Sequence, residues 1–87
     1  MHFVYILRCA DASLYIGETD DIERRIVRHQ EGRGCPYTAA RRPVELAYVE
    51  TVANHLDARR RELQLKGWTR RKKEALVAGD LELLRRL

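Results

Sequence analysis

Tyr5 and Tyr15 lie in two short apolar stretches, Val4-Tyr5-Ile6 and Tyr15-Ile16-Gly17, and are followed by Arg25, His29 and, much later, Glu62. Each of these types has a part in cutting a phosphodiester bond. A phenol can orient or activate a water, and an imidazole can accept or relay its proton. A guanidinium can grip a phosphate through two hydrogen bonds. A carboxylate can hold a hard divalent ion that polarises the phosphate. Taken singly, every one has a plainer role. Strand tyrosines pack, an arginine snorkels at a helix edge, and Glu62 has Lys66 four residues on as an ordinary helical ion-pair partner.

The elements that must position these groups can be read from local pattern. Residues 2–9 and 14–18 are rich in β-branched, aromatic and aliphatic types around Asp11-Ala12-Ser13, a hairpin signal without the usual turn glycine. The two tyrosines share a face only if facing residues have an even index sum, as when Cys9 faces Ser13, and the sequence leaves that register open. Gly17, inside a strand, signals a bulge or a close approach to the backbone. Thr19-Asp20-Asp21 offers a cap for a helix striped by Ile22, Ile26 and Val27 and ending near Gly32. On a helical projection, His29 and Arg25 fall in that order beside Ile22, on the flank away from Ile26, whereas Arg28 falls well outside the stripe. Arg25 and His29 therefore border the buried face.

Residues 32–43, with two Gly, two Pro and three Arg, read as loop throughout. Val44 to Val52 reads as a third strand. Asn54 caps a helix over about 55–66 that Gly67 stops. Thr69 caps another to about Ala78, and Gly79-Asp80 punctuates a last short turn through Leu87. The order ββαβα with a C-terminal helical extension gives an α+β fold, a small three-stranded antiparallel sheet flanked by helices.

Eighty-seven residues are expected to form one domain, 1–87, hiding roughly 60–65% of the unfolded surface. Charged residues make up 34% of the chain and the net charge is +4. Residues 1–40 carry five Arg or Lys against six Asp or Glu, and residues 41–87 carry twelve against seven. A basic second half suits a polyanionic partner. Cys9 and Cys35 lack disulfide or zinc spacing and read as reduced thiols of a cytoplasmic protein. The longest early apolar run, Phe3 to Leu7, is too short for a signal peptide or a membrane span.

The ordered pattern over roughly residues 3–75 resembles the GIY-YIG nucleases, especially their small stand-alone bacterial members. Phe3 and Val4 stand where the first motif has Gly and Ile, with Tyr5 as its Tyr, and Tyr15-Ile16-Gly17 matches the second unchanged. Asp21-Ile22-Glu23-Arg24-Arg25 and His29 look like the helix carrying the family's Arg and His. Glu62 falls where its metal-binding Glu is expected. Gly32-Arg33-Gly34 through Tyr37-Thr38 and Arg41-Arg42-Pro43 resembles the basic loop of the small members. One departure stands out: many of these nucleases carry an Asn downstream of the Glu, but the sole Asn here, Asn54, lies upstream.

The resemblance implies a metal-dependent DNA nuclease of repair or processing, with one Mg²⁺ or Mn²⁺ on Glu62. Tyr5 would activate water, its pKa lowered by Arg25, with His29 relaying the proton and Tyr15 orienting water or phosphate. The residues alone do not rank the two tyrosines. Arg33, Arg41, Arg42, Arg59, Arg60, Arg70, Arg71, Lys72 and Lys73 are the expected phosphate contacts, and Tyr37 either stacks on a base or packs. Trp68 reads as a core anchor for the last helix. DNA is favoured over RNA as partner, structure or ends over sequence as the feature recognised, and no membrane is expected. Two competing readings remain: a nucleic-acid-binding module that cleaves weakly, and a subunit targeted by a protein partner. The oligomeric state is open.

Overall fold

A computed structural model describes residues 1–87. Its sheet is built from β1 (His2–Arg8), β2 (Leu14–Thr19) and β3 (Glu45–Val52) in the order β2-β1-β3, all antiparallel. Five helices accompany it: α1 (Ile22–Gln30), α2 (Pro36–Ala39), α3 (His55–Lys66), α4 (Arg70–Ala78) and α5 (Leu81–Arg86). The fold is α+β, as the pattern required.

β1 is central because it can be buried on both sides. Val4, Tyr5, Ile6 and Leu7 are all fully inaccessible to solvent, and an unbroken apolar run suits a strand covered on both faces. Val4, Ile6 and Ile16 pack on one side with Ala58, Leu65 and Leu76 from α3 and α4, helped by half-buried Trp68. Tyr5, Leu7, Cys9 and Val44 pack on the other with Tyr15, Ile22 and Ile26. The chain is thus layered, α1 and α2 on one face of the sheet and α3 and α4 on the other.

Caps fix where the helices begin. Asp21, Asn54, Thr69 and Asp80 each accept a hydrogen bond from a backbone N–H of the first turn, as N-caps do. α1 ends at Gly32, which is left-handed (φ 81°). Its N–H bonds the His29 carbonyl and that of Arg33 bonds Arg28, a Schellman closure.

Two segments depart from the sequence reading. The span 32–43 is not loop throughout, because Pro36 opens the short helix α2 at a position where its missing N–H costs nothing. The expected last turn is a capped helix, α5. The hairpin solves its missing glycine with Ala12, left-handed at φ 68°, whose N–H donates to the Cys9 carbonyl. A side chain there costs roughly 1–2 kcal/mol, partly offset by the extra unfolded-state freedom of glycine. Ala12→Gly is therefore expected to stabilise the protein by about 0.5–1 kcal/mol in urea unfolding, with an unchanged m-value.

Candidate active site

β1 pairs with β2 so that Tyr5 faces Gly17 and Leu7 faces Tyr15. The index sum is even, and both phenols project toward α1. Gly17 is a close approach rather than a bulge: a Cβ there would stand 2.5 Å from the Tyr5 hydroxyl. The phenol lies across the bare backbone of its neighbour strand.

α1 supplies two partners. His29 is fully buried, with Nε2 2.9 Å from Tyr5 Oη. Arg25 Nε donates to the same hydroxyl at 3.3 Å. On its far side, His29 Nδ1 is 2.7 Å from Thr38 Oγ1, and Thr38 in turn donates to the Cys35 carbonyl at 3.4 Å. Arg25 can only donate, so the Tyr5 oxygen accepts there. With His29 protonated on Nδ1, the Tyr5 proton turns to Nε2 and the ring proton goes to Thr38; with the proton on Nε2, both ring contacts reverse. The first arrangement is a relay, Arg25 to Tyr5 to His29 to Thr38, ending on a backbone carbonyl.

Gly34 is the second glycine the site requires. A Cβ at this position would overlap the His29 ring, so the segment from Gly34 through Thr38 wraps the imidazole. Tyr15 completes the cluster, its ring 6.4 Å from Tyr5 and 5.3 Å from His29. Tyr37 stacks on Tyr15 at 5.9 Å, and the Arg41 guanidinium lies 3.7 Å from the Tyr37 ring centre. In this structure Tyr37 packs.

Glu62 approaches from the opposite layer, on α3, which packs against β1 and β2. Its side chain is 8% exposed, with Oε2 3.1 Å from Lys66 Nζ and Oε1 3.5 Å from Arg59. Its negative charge is felt at the Tyr5 phenol, which it pushes up slightly. The carboxylate that the sequence singles out is thus also the acid of an ordinary i,i+4 pair.

Burial sets the titration of the cluster. It raises the Tyr5 pKa, and the hydrogen bond and charge of Arg25 only partly reverse this. The expectation that Arg25 would bring Tyr5 below its ordinary value is therefore corrected: desolvation of the phenolate outweighs the guanidinium. Tyr15 is also raised, by burial and then by its hydrogen bond with Cys35. His29 is held at about 4, chiefly by burial, then by the charges of Arg25 and Arg28. Burial pushes the Cys35 thiol up, but hydrogen bonds from Thr38, Tyr15 and the backbone outweigh it and leave the thiol below its usual value.

The expected phosphate-contacting residues are spread over several elements. Arg33, Arg42, Arg59, Arg60, Arg70 and Arg71 are exposed, and Arg41, Lys72 and Lys73 are half-buried. Arg33 pairs with Glu31 and Arg41 with Asp11, while Arg70 is held by Glu74 and the Ala12 carbonyl. Lys72 lies 4.4 Å from the Trp68 ring centre. Sequence reasoning missed Arg24 and Arg28, which with Thr19, Asp20, Asp21 and Arg25 line a surface groove of about 430 Å³ next to the relay. Their four-residue spacing beside Arg25 was the available signal. Thr38, Cys35 and Gly34 were missed as site residues because only the fold of the loop brings them to His29.

The three-stranded sheet carries two phenols on one face, with an arginine and a histidine one turn apart on one helix and a glutamate on another. The chain belongs to the GIY-YIG family: the GIY-YIG catalytic domain matches residues 1–75. It is 47% identical over 76 residues to a UPF0213 protein of Bacillus pumilus, covering 87% of this chain and 78% of that one. It is 46% identical over 79 residues to a UPF0213 protein of Natronomonas pharaonis, covering 91% and 93%. The solution NMR structure of a UPF0213 protein from Bacillus halodurans matches with a TM-score of 0.58 and 44% identity over 88% of this chain and 82% of that one. The family is one of nucleases, which act on nucleic acid and generally use a divalent metal. No helix is long and apolar enough to cross a membrane.

Two outcomes test the relay. Keeping His29 neutral contributes stability above the ordinary imidazole pKa of 6.5, and that contribution drains away as the pH falls toward about 4. His29→Gln should flatten the stability-versus-pH curve across that interval in urea unfolding. Thr38→Val strands the buried Nδ1–H and should cost about 1–3 kcal/mol, whereas Thr38→Ser should restore most of the loss.

Proposed function

We propose that this protein is a divalent-metal-dependent nuclease that hydrolyses phosphodiester bonds in DNA. Structure or strand ends, rather than sequence, guide the cut, and the setting is DNA repair or processing in the cytoplasm. The observation that carries this reading is the hydrogen-bond chain from Arg25 through Tyr5 and His29 to Thr38. A buried phenol poised to lose its proton to an imidazole is arranged to take a proton from something else.

The residues divide the work as follows. Arg25, on the groove shared with Arg24 and Arg28, holds the phosphate by charge-assisted hydrogen bonds. Tyr5 is fully buried in the free protein, so substrate binding has to bring the attacking water to its hydroxyl; Tyr5 then takes that water's proton as its own passes to His29 Nε2, and no free phenolate is needed. In the free protein His29 is a weak base, in part because Arg25 and Arg28 repel its charge. A bound phosphate offsets those cations and makes the imidazole a better acceptor. Thr38 fixes its tautomer. Tyr15, on the same sheet face, orients water or phosphate.

Glu62 is the residue that would hold Mg²⁺ or Mn²⁺. A single buried carboxylate fits such an ion, which takes one or two carboxylates and fills its remaining positions with water and phosphate oxygens. When bound, the ion supplies Lewis-acid stabilisation of the phosphate and the leaving oxygen.

The pairing of both Glu62 oxygens with Arg59 and Lys66 favours a second reading, a nucleic-acid-binding module that cleaves slowly. An assay on labelled single-stranded, duplex, nicked and branched DNA, in Mg²⁺ or Mn²⁺ with chelator controls, separates the two. Tyr5→Phe is expected to lose cleavage by about 100-fold or more. Glu62→Ala should abolish metal-dependent cleavage with DNA binding largely kept. Normal cleavage by Glu62→Ala in Mg²⁺ would sink the mechanism, and metal-independent binding without cleavage by the parent protein would establish the second reading.

A further inference from the structure

Arg41 lies between α2 and β3, and its side chain reaches two other parts of the molecule at once. Nε donates to Asp11 Oδ2 at 3.1 Å, and Nη1 donates to the Tyr37 carbonyl at 3.0 Å. Its Cζ stands 3.7 Å from the centre of the Tyr37 ring. The backbone joins in, because the Arg41 carbonyl accepts from the N–H of Ala10. Asp11 is a firm anchor, since its Oδ1 accepts from the N–H of Ser13 at 3.0 Å and from the Ser13 hydroxyl at 2.6 Å. That turn leads directly into β2 and Tyr15. Tyr37 in turn stacks on Tyr15, with ring centres 5.9 Å apart and planes 29° apart. The contacts close a ring, from Arg41 through Asp11 and the hairpin to Tyr15, and back through Tyr37.

We propose that Arg41 and Tyr37 form a clamp that sets the orientation of the Tyr15 ring, so that Arg41 is a positioning residue and not a phosphate contact. Its consequence for cleavage rests on the reading of Tyr15 as the residue that orients water or phosphate. Tyr15 needs such support more than Tyr5 does. Tyr5 is fully buried and bonded to both Arg25 and His29. Tyr15 is half-buried and meets Tyr5 and His29 through ring contacts at 6.4 and 5.3 Å. A stacked aromatic partner limits how far its ring can swing. A guanidinium over that partner, together with a bond to its carbonyl, limits the partner in the same way.

The same geometry argues against phosphate duty for Arg41. Asp11 holds Nε and offsets the charge, and the Tyr37 carbonyl holds Nη1. Either two-donor edge of the guanidinium therefore includes a nitrogen that is already engaged. Lysine could not take over the clamp. An ammonium keeps the charge but lacks the planar fork that reaches a carboxylate, a carbonyl and a ring together. Arg41→Lys thus separates the two roles, because a phosphate contact made by charge survives it and the clamp does not.

The test measures DNA cleavage kinetics, DNA binding and assigned NMR spectra of the full chain. Arg41→Lys and Tyr37→Leu should each lower kcat by about tenfold with KM and Kd nearly unchanged. Tyr37→Phe should restore most of the rate, because the clamp uses the ring and not its hydroxyl. The double variant should be little worse than either single one, as for residues that act as a unit. Asp11→Asn removes a negative charge, which by electrostatics alone favours a polyanion, yet the clamp requires it to lower kcat. In the spectra of Arg41→Lys, contacts between the Tyr15 and Tyr37 rings should be lost while the rest of the sheet is unchanged. Should Tyr37→Leu fail to fold, Arg41→Lys and Asp11→Asn decide, since those side chains are 35% and 50% exposed. Parental kcat in Arg41→Lys overturns the proposal. So does weaker binding by Arg41→Ala with a salt slope reduced by about one, the mark of a phosphate contact. A parent protein that cleaves no DNA ends the nuclease reading alone. The clamp is then decided by the spectra, and ring contacts that persist in Arg41→Lys overturn it.

Discussion

The Tyr5 hydroxyl is the constraint on which the rest of the structure turns. It is a polar group placed where water does not reach, and leaving such a group unpaired costs about 1–3 kcal/mol. Satisfying it demands a glycine at position 17 so the ring can lie on the neighbouring strand. It demands that α1 present Arg25 and His29 one turn apart on the same flank. It also fixes the hairpin register, because a slip of one residue would send Tyr15 to the other face of the sheet. The hairpin, α1 and the wrapped loop are thereby coupled through one oxygen atom.

That coupling carries through to charge. Inside the cluster the phenols are pushed up and the imidazole down, in each case foremost by burial, so all three are biased toward their neutral forms. Outside it, Arg24 and Arg28 line the adjoining groove. A neutral proton relay bordered by fixed cations suits an anion with its negative charge on the outside and its reacting oxygen turned inward. A hydroxyl relay left in water would lose this, since solvent would compete for each hydrogen bond and restore ordinary pKa values.

Much of this was legible in the sequence, and what was not has identifiable causes. The strands showed in their β-branched and aromatic runs, and α3 and α4 in Asn54, Gly67 and Thr69, because caps and punctuation act locally. Arg25 and His29 could be placed on the buried flank of α1 from helical spacing alone. The helix α2 was hidden because Pro36 reads as a breaker inside a segment full of Gly and Pro, yet at a first helical position proline favours the helix. Thr38 was hidden because its role depends on a contact with His29 made nine residues away through a loop whose path no periodicity describes. The sign of the Tyr5 shift was misjudged for a related reason. The sequence displays the arginine but not the depth of burial that outweighs it.

Glu62 is the one buried carboxylate of the layer opposite the phenols. A carboxylate buried without a counter-charge would be severely destabilising, and here Arg59 and Lys66 provide that charge from the same helix. Their side chains are 59% and 48% exposed, whereas that of Glu62 is 8% exposed. The acid is buried and its two cations reach it from the solvent side. A divalent ion engaging the carboxylate, as the nuclease reading requires, would have to take over that counter-charge and free both cations; on the second reading the two pairs stay closed.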